Sequence, residues 1–154
     1  MRMHMPAHVK KAYTTNACWS LHNEIIPRKG FEIAFIRYYN AKTKGLDLEG
    51  WLEDLNNIED ESLILLQTSA QNPSGVDPTK EEWASAFEII KRKKHFIFWD
   101  TAYCGFASDD FEEDLWSLRT LAKQYKRCML AQSFSKNFGL YGERTGSLHI
   151  VTEN

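Results

Sequence analysis

Three stretches of this sequence carry side chains that could act together on a carbon next to nitrogen. Ser133-Phe134-Ser135-Lys136 offers an amine after two hydroxyls, with Arg144 eight residues on. Asp100-Thr101-Ala102-Tyr103 offers a carboxylate and a phenol, and Gln71-Asn72-Pro73-Ser74-Gly75 offers an amide in a turn. An amine in a cleft can condense with an aldehyde. A carboxylate keeps a heteroaromatic nitrogen protonated, because the paired cation is favoured by the negative charge. Serines and an arginine suit a phosphate, and phenol and amide suit a ring oxygen.

These residues work together only if the fold gathers them. Residues 31–39, 63–68, 95–100, 128–133 and 146–151 are apolar, aromatic or β-branched and read as strands. Helical patterns fall between them at 48–57 and 112–125 and, most clearly, after Thr79. There Thr79 and Glu82 form a capping box, Trp83, Phe87 and Ile90 make one apolar stripe, and Lys91–Lys94 suit the negative end of the helix dipole. Strand and helix in alternation predict a three-layer α/β/α fold with a mostly parallel sheet. The connection 134–145 carries no helix, so the last strand is expected to run antiparallel to its neighbour. In such sheets ligands bind beyond the carboxyl ends of the strands, where 69–75, 100–103 and 133–144 all fall.

The 154 residues suffice for one good core, and 43% hydrophobic with 26% charged residues is ordinary for a globular domain. A net charge of -2 with scattered basic residues gives no sign of a nucleic-acid partner. No apolar run approaches the ~20 residues a membrane-spanning helix needs. Cys18, Cys104 and Cys128 are odd in number and form no close pair, which fits a reducing compartment. No histidine has metal-ligand spacing, so no metal site is expected. His95 and His149 read as core or edge residues. Residues 1–15 contain no acid and read as a poorly ordered start, and residues 1–18 are left unassigned.

Four motifs in order, Trp19-Ser-Leu-His22-Asn23, QNPSGVDPT (71–79), FWDTAYCGFAS (98–108) and AQSFSKNFGLYGER (131–144), resemble those of aspartate aminotransferases, class I members of fold-type I. The resemblance runs from about Trp19 to Val151 and implies pyridoxal phosphate as cofactor. On it, Lys136 is similar to the lysine that joins the cofactor and shuttles the substrate proton. Asp100 resembles the partner of the ring nitrogen. Tyr103 and Asn72 resemble the groups on the ring oxygen, Asn72 also touching the substrate carboxylate. Ser133, Ser135 and Arg144 match phosphate-side positions. Trp19 is expected against the ring face and the substrate, and His22 behind Asp100. The resemblance further implies reversible amino transfer between L-aspartate and 2-oxoglutarate, with L-glutamate and the 2-oxo acids as the other partners. It implies a homodimer when complete, in the cytoplasm, with a mitochondrial site as the alternative.

Two departures stand out. Gln67 and Gln71 occupy positions where family members commonly carry histidines, and Ser74 replaces a usual threonine. On the same resemblance residues 19–154 would be a partial cofactor-binding large domain. The N-terminal strands with their glycine-rich phosphate loop, the small domain and the substrate-clamping arginines would be absent. A truncated, non-catalytic product that binds cofactor or associates with full-length subunits, and another transaminase or lyase of this fold, are the alternatives.

Overall fold

A computed structural model describes residues 9–151. In chain order the elements are β1 (Lys11–Thr15), α1 (His22–Arg28), β2 (Glu32–Ile36), β3 (Tyr39–Asn40), β4 (Gly45–Leu46), α2 (Leu48–Asn57), β5 (Leu63–Gln67), α3 (Lys80–Arg92), β6 (Phe96–Thr101), α4 (Phe111–Asp114), α5 (Trp116–Gln124), β7 (Cys128–Ser133) and β8 (Gly146–Ile150). Six strands form one sheet in the order β2-β1-β5-β6-β7-β8, while β3 and β4 make a small hairpin. Every pairing from β2 to β7 is parallel, and β8 returns antiparallel on β7, as expected.

The apolar run of β5 shows why its sequence does not alternate with polar residues. Ile64 and Leu66 enter the larger core with Trp51, Trp83, Ile90, Trp99 and Leu121, beneath α2, α3 and α5. Leu63 and Leu65 face the other side, packed with Ile26 of α1 and Phe31. A strand covered on both faces needs apolar residues at both parities. The expected capping box of α3 is present: Thr79 N–H donates to Glu82, and Glu82 N–H donates to Thr79 Oγ1 at 3.3 Å.

Three expectations need correcting. The supposedly disordered start contains β1, which lies between β2 and β5, so its backbone is paired on both edges and Ala12, Thr14 and Thr15 are buried. Its burial comes from those neighbours rather than from its own hydrophobicity, and it extends the sheet ahead of the boundary drawn at residue 19; residues 1–8 lie outside the described residues. The strand expected over 31–39 stops at Ile36. Beyond it Arg37 N–H is taken by Asp54 and the N–H groups of Tyr38 and Tyr39 by Asn16 Oδ1. The helix expected over 112–125 breaks at Leu115 into α4 and α5. Residues 22–28, to which no element is assigned from the sequence, form α1 with Pro27 inside it.

Candidate active site

The parallel strands β5, β6 and β7 end side by side, with Gln67 opposite Asp100 and Thr101 opposite Gln132. Beyond these ends lies a cavity of about 250 Å³. Its lining includes Trp19, Asn72, Asp100, Tyr103, Ser133, Ser135, Lys136 and Arg144, eight of the nine residues singled out from the sequence. His22, the ninth, lies behind Asp100. Gln67, Ala102 and Tyr141 complete the wall. Tyr141 was missed although it lies inside the lysine motif.

Asp100 is the best-supported member. It is the penultimate residue of β6, next to Trp99, which is fully buried, so the backbone that carries the carboxylate is fixed by the core. His22 Nε2 donates to Asp100 Oδ2 at 2.9 Å. The His22 side chain is 6% exposed and that of Asp100 24%. Burial opposes a charge on the His22 ring more than any other single influence. The hydrogen bond to Asp100 and smaller pulls from Cys18 and the Asp100 charge together outweigh it, and the pKa is raised to about 9. Asp100 therefore faces the cavity with a cation behind it. Trp19 packs its ring edge-on to His22, centroids 5.5 Å apart, and so joins the cavity wall to this pair.

Lys136 lies past the end of β7. Its Nζ stands 5.1 Å from the centre of the Tyr103 ring and 5.7 Å from that of Tyr141, and makes no ion pair with the described residues. An ammonium over two phenol faces is held electrostatically without being neutralised by an acid. The loop start is ordered locally: Ser135 N–H donates to Ser133 Oγ at 3.3 Å, and Ser135 is buried. Arg144 adopts a positive φ of 49° and donates to the Tyr141 carbonyl at 3.1 Å, which turns the segment back toward β8.

Two carboxylates, Asp77 half-buried and Asp114 buried, shape the loops that bring in Asn72 and Tyr103. Asp77 accepts from Ala70 N–H at 2.6 Å and from Gln71 N–H at 3.0 Å, bracing a turn in which Ala70 has a φ of 46°. Asp114 accepts from Gly105, Ala107 and Ser108 N–H at 2.7, 3.1 and 3.1 Å, and from Ser108 Oγ at 2.6 Å. Burial pushes the Asp77 carboxyl up, partly offset by those two N–H donors, with the Asp114 charge adding to the rise.

The two glutamines are well used. Gln67 pairs with the backbone of Asn72 (3.0 and 2.9 Å). Gln71 Nε2 donates to the Ala17 carbonyl and, at 3.4 Å, to Thr15 Oγ1. Its Oε1 accepts from Ser74 N–H at 3.0 Å and from Ser74 Oγ. Gln71 therefore ties the end of β1 to the Asn72-Pro73-Ser74 turn, and the hydroxyl of Ser74 has a defined role there.

An unneutralised amine, a carboxylate backed by a cation, a phenol, an amide and a rim of hydroxyls with a guanidinium are the groups that a phosphorylated pyridine aldehyde requires, and the site fits one. Such a site at the carboxyl edge of a mainly parallel sheet defines the class. The sequence model of the family described as aminotransferase class I and II matches residues 7–153, and the chain belongs to that family. It is 40% identical over 151 residues to the cytoplasmic aspartate aminotransferase of Schizosaccharomyces pombe, covering 98% of this chain and 36% of that relative. A mitochondrial aspartate aminotransferase from Trypanosoma brucei superposes with a TM-score of 0.93 at 41% identity, over 96% of this chain and 39% of that one. An aromatic-amino-acid aminotransferase from Burkholderia pseudomallei, covalently bound to pyridoxal phosphate, superposes at 0.91 and 35% identity, over 95% of this chain and 36% of that one. The chain thus spans little more than a third of the length of these proteins.

Proposed function

We propose that this chain supplies the pyridoxal-phosphate-holding part of an aspartate aminotransferase, which exchanges an amino group between L-aspartate or L-glutamate and the corresponding 2-oxo acids. The observation that carries this reading is the shared cavity of Lys136 and Asp100, the amine without an acid partner among the described residues and the carboxylate backed by His22.

When bound, pyridoxal phosphate supplies an aldehyde carbon for an amine and a ring that accepts electrons from a breaking C–H bond. Lys136 Nζ would hold the aldehyde and, once displaced by the substrate amine, accept and return the substrate Cα proton. Asp100, fixed by His22, would keep the ring nitrogen protonated. Tyr103 and Asn72 would donate to the ring oxygen, and Asn72 would also meet the substrate carboxylate. Ser133, Ser135 and Arg144 would hold the phosphate by hydrogen bonds and charge. Trp19 would cover the ring and face the substrate.

The complete protein is proposed to be a homodimer. The cytoplasm is its proposed compartment, a reducing setting that suits three free thiols; recovery of a tagged chain in the mitochondrial fraction would overturn that placement. The likeness to an aromatic-amino-acid aminotransferase supports a second reading, a transaminase of this fold with an aromatic substrate. The higher identity to the aspartate enzymes favours the first. The test is to mix the purified protein with pyridoxal phosphate, reduce with borohydride and map the labelled peptide. Label on Lys136 is expected, and its absence overturns the reading. Release of pyridoxamine phosphate by L-aspartate rather than L-phenylalanine would separate the two substrates.

A further inference from the structure

Gln67 closes β5 directly opposite Asp100, and its carboxamide turns across the strand end to grip one residue from both sides. Gln67 Nε2 donates to the Asn72 carbonyl at 3.0 Å, while Gln67 Oε1 accepts from Asn72 N–H at 2.9 Å. A planar amide that bonds both backbone groups of one residue fixes position and rotation together, because either bond alone would leave a hinge. The rest of the loop does not do this for Asn72. Asp77 takes the N–H groups of Ala70 and Gln71, Gln71 takes that of Ser74, and Pro73 has none. Asn72 lines the cavity, and its carboxamide has no hydrogen-bond partner among the described residues, so it is free for a ligand.

We propose that Gln67 is the positioning residue for Asn72, holding its carboxamide at the cavity wall so that it meets the cofactor ring already oriented. This rests on the aminotransferase reading above. Gln67 acts through Asn72, so its contribution to cofactor affinity should vanish when the Asn72 carboxamide is removed.

Two measurements test this on the full chain. The first uses the protein without cofactor and follows backbone amide exchange. Gln67→Met keeps the bulk but loses both bonds, and exchange at Asn72 N–H should quicken about tenfold, the scale of one hydrogen bond, while the β5 and β6 amides stay as in the parent. Gln67→Glu retains an acceptor and should restore slow exchange at Asn72. Unchanged exchange in Gln67→Met overturns the proposal, as does acceleration spread over the whole sheet. The second is a double-mutant cycle on pyridoxal phosphate affinity, read by absorbance titration. Gln67→Met should weaken binding about tenfold in the parent and less than about threefold in Asn72→Ala, since residues acting as a unit are not additive. Equal losses in both backgrounds overturn the proposal and leave the aminotransferase reading intact. If the parent binds no cofactor, the aminotransferase reading fails, and with it the cofactor-orienting role proposed for Gln67, whatever the exchange result.

Discussion

His22 and Asp100 lie 78 positions apart and meet in a 2.9 Å hydrogen bond at the end of β6, joining the first turn of α1 to the edge of the cavity. The fold spends a nearly buried ion pair here, and a buried pair is costly unless each member is held by the other. The consequence is a carboxylate that cannot swing away from the cavity.

The first prediction concerns pH. The His22 pKa is raised from 6.5 to about 9, so the folded state binds the proton more tightly than the unfolded chain. The resulting stability is fully present below pH 6.5 and is lost as the pH rises through about 9. Its size should be on the order of 2 kcal/mol, after discounting for the solvent that still reaches Asp100. Urea unfolding of the parent and of His22→Gln, measured from pH 6 to 9.5, should show a gap that is widest at pH 6 and nearly closed at 9.5. A constant gap would mean that the ring carries no excess proton.

A second prediction separates holding the cofactor from using it. In Asp100→Ala the amine of Lys136 is untouched, so borohydride should still fix pyridoxal phosphate to it. Loss of the acid that keeps the ring nitrogen charged should slow exchange of the α-proton of L-aspartate in D₂O by about 100-fold or more, the scale of removing one stabilising group from a closed site. Proton NMR on a chain shown to exchange in its parent form gives the rate. Exchange at the parent rate would remove Asp100 from the chemistry.

The site was legible because of where strands end. Asp100 lies at the end of one short apolar strand and Lys136 just past the end of the next, and parallel α/β topology sends those ends to one rim whatever the details between. The reversal of β8 was legible from a missing helix in 134–145. Strand β1 was not, because its polar Thr14 and Thr15 become interior only when β2 and β5 pair on either side. Nor was the grip of Gln67 on Asn72, which depends on a loop path set by the positive φ of Ala70 and the two N–H bonds to Asp77. The break at Leu115 escaped for a similar reason: the Asp114 carboxylate turns to the preceding loop.

That turn makes a third prediction. Asp114 is 5% exposed and satisfies three backbone N–H groups and one hydroxyl of residues 105–108, the loop that follows Tyr103. Asp114→Ala removes the acceptor of all four donors and should cost roughly 1–3 kcal/mol, the scale of hydrogen bonds to a charged group. Asp114→Asn keeps one acceptor oxygen and should lose about half as much. Urea midpoints decide; equal stability of all three proteins would show that water replaces the carboxylate at no cost.

The fourth prediction concerns the reversed strand. Gly146 begins β8 opposite Ser133, the residue at which β7 gives way to the lysine loop. A Cβ at Gly146 would lie 2.5 Å from the Gln132 carbonyl oxygen and 3.6 Å from Ser133 Cα, both backbone atoms that cannot rotate aside. Gly146→Ala must therefore push β8 away from the end of β7, at a cost of about 1–3 kcal/mol typical of overpacking. The push falls where Phe134 N–H reaches the Thr145 carbonyl at an already long 3.3 Å, so that bond should break first. Amide exchange at Phe134 should rise well above that of the β5 and β6 amides, and borohydride labelling of Lys136 should need more pyridoxal phosphate. If Phe134 stays protected while the chain loses stability elsewhere, β8 is not what holds the lysine loop in register.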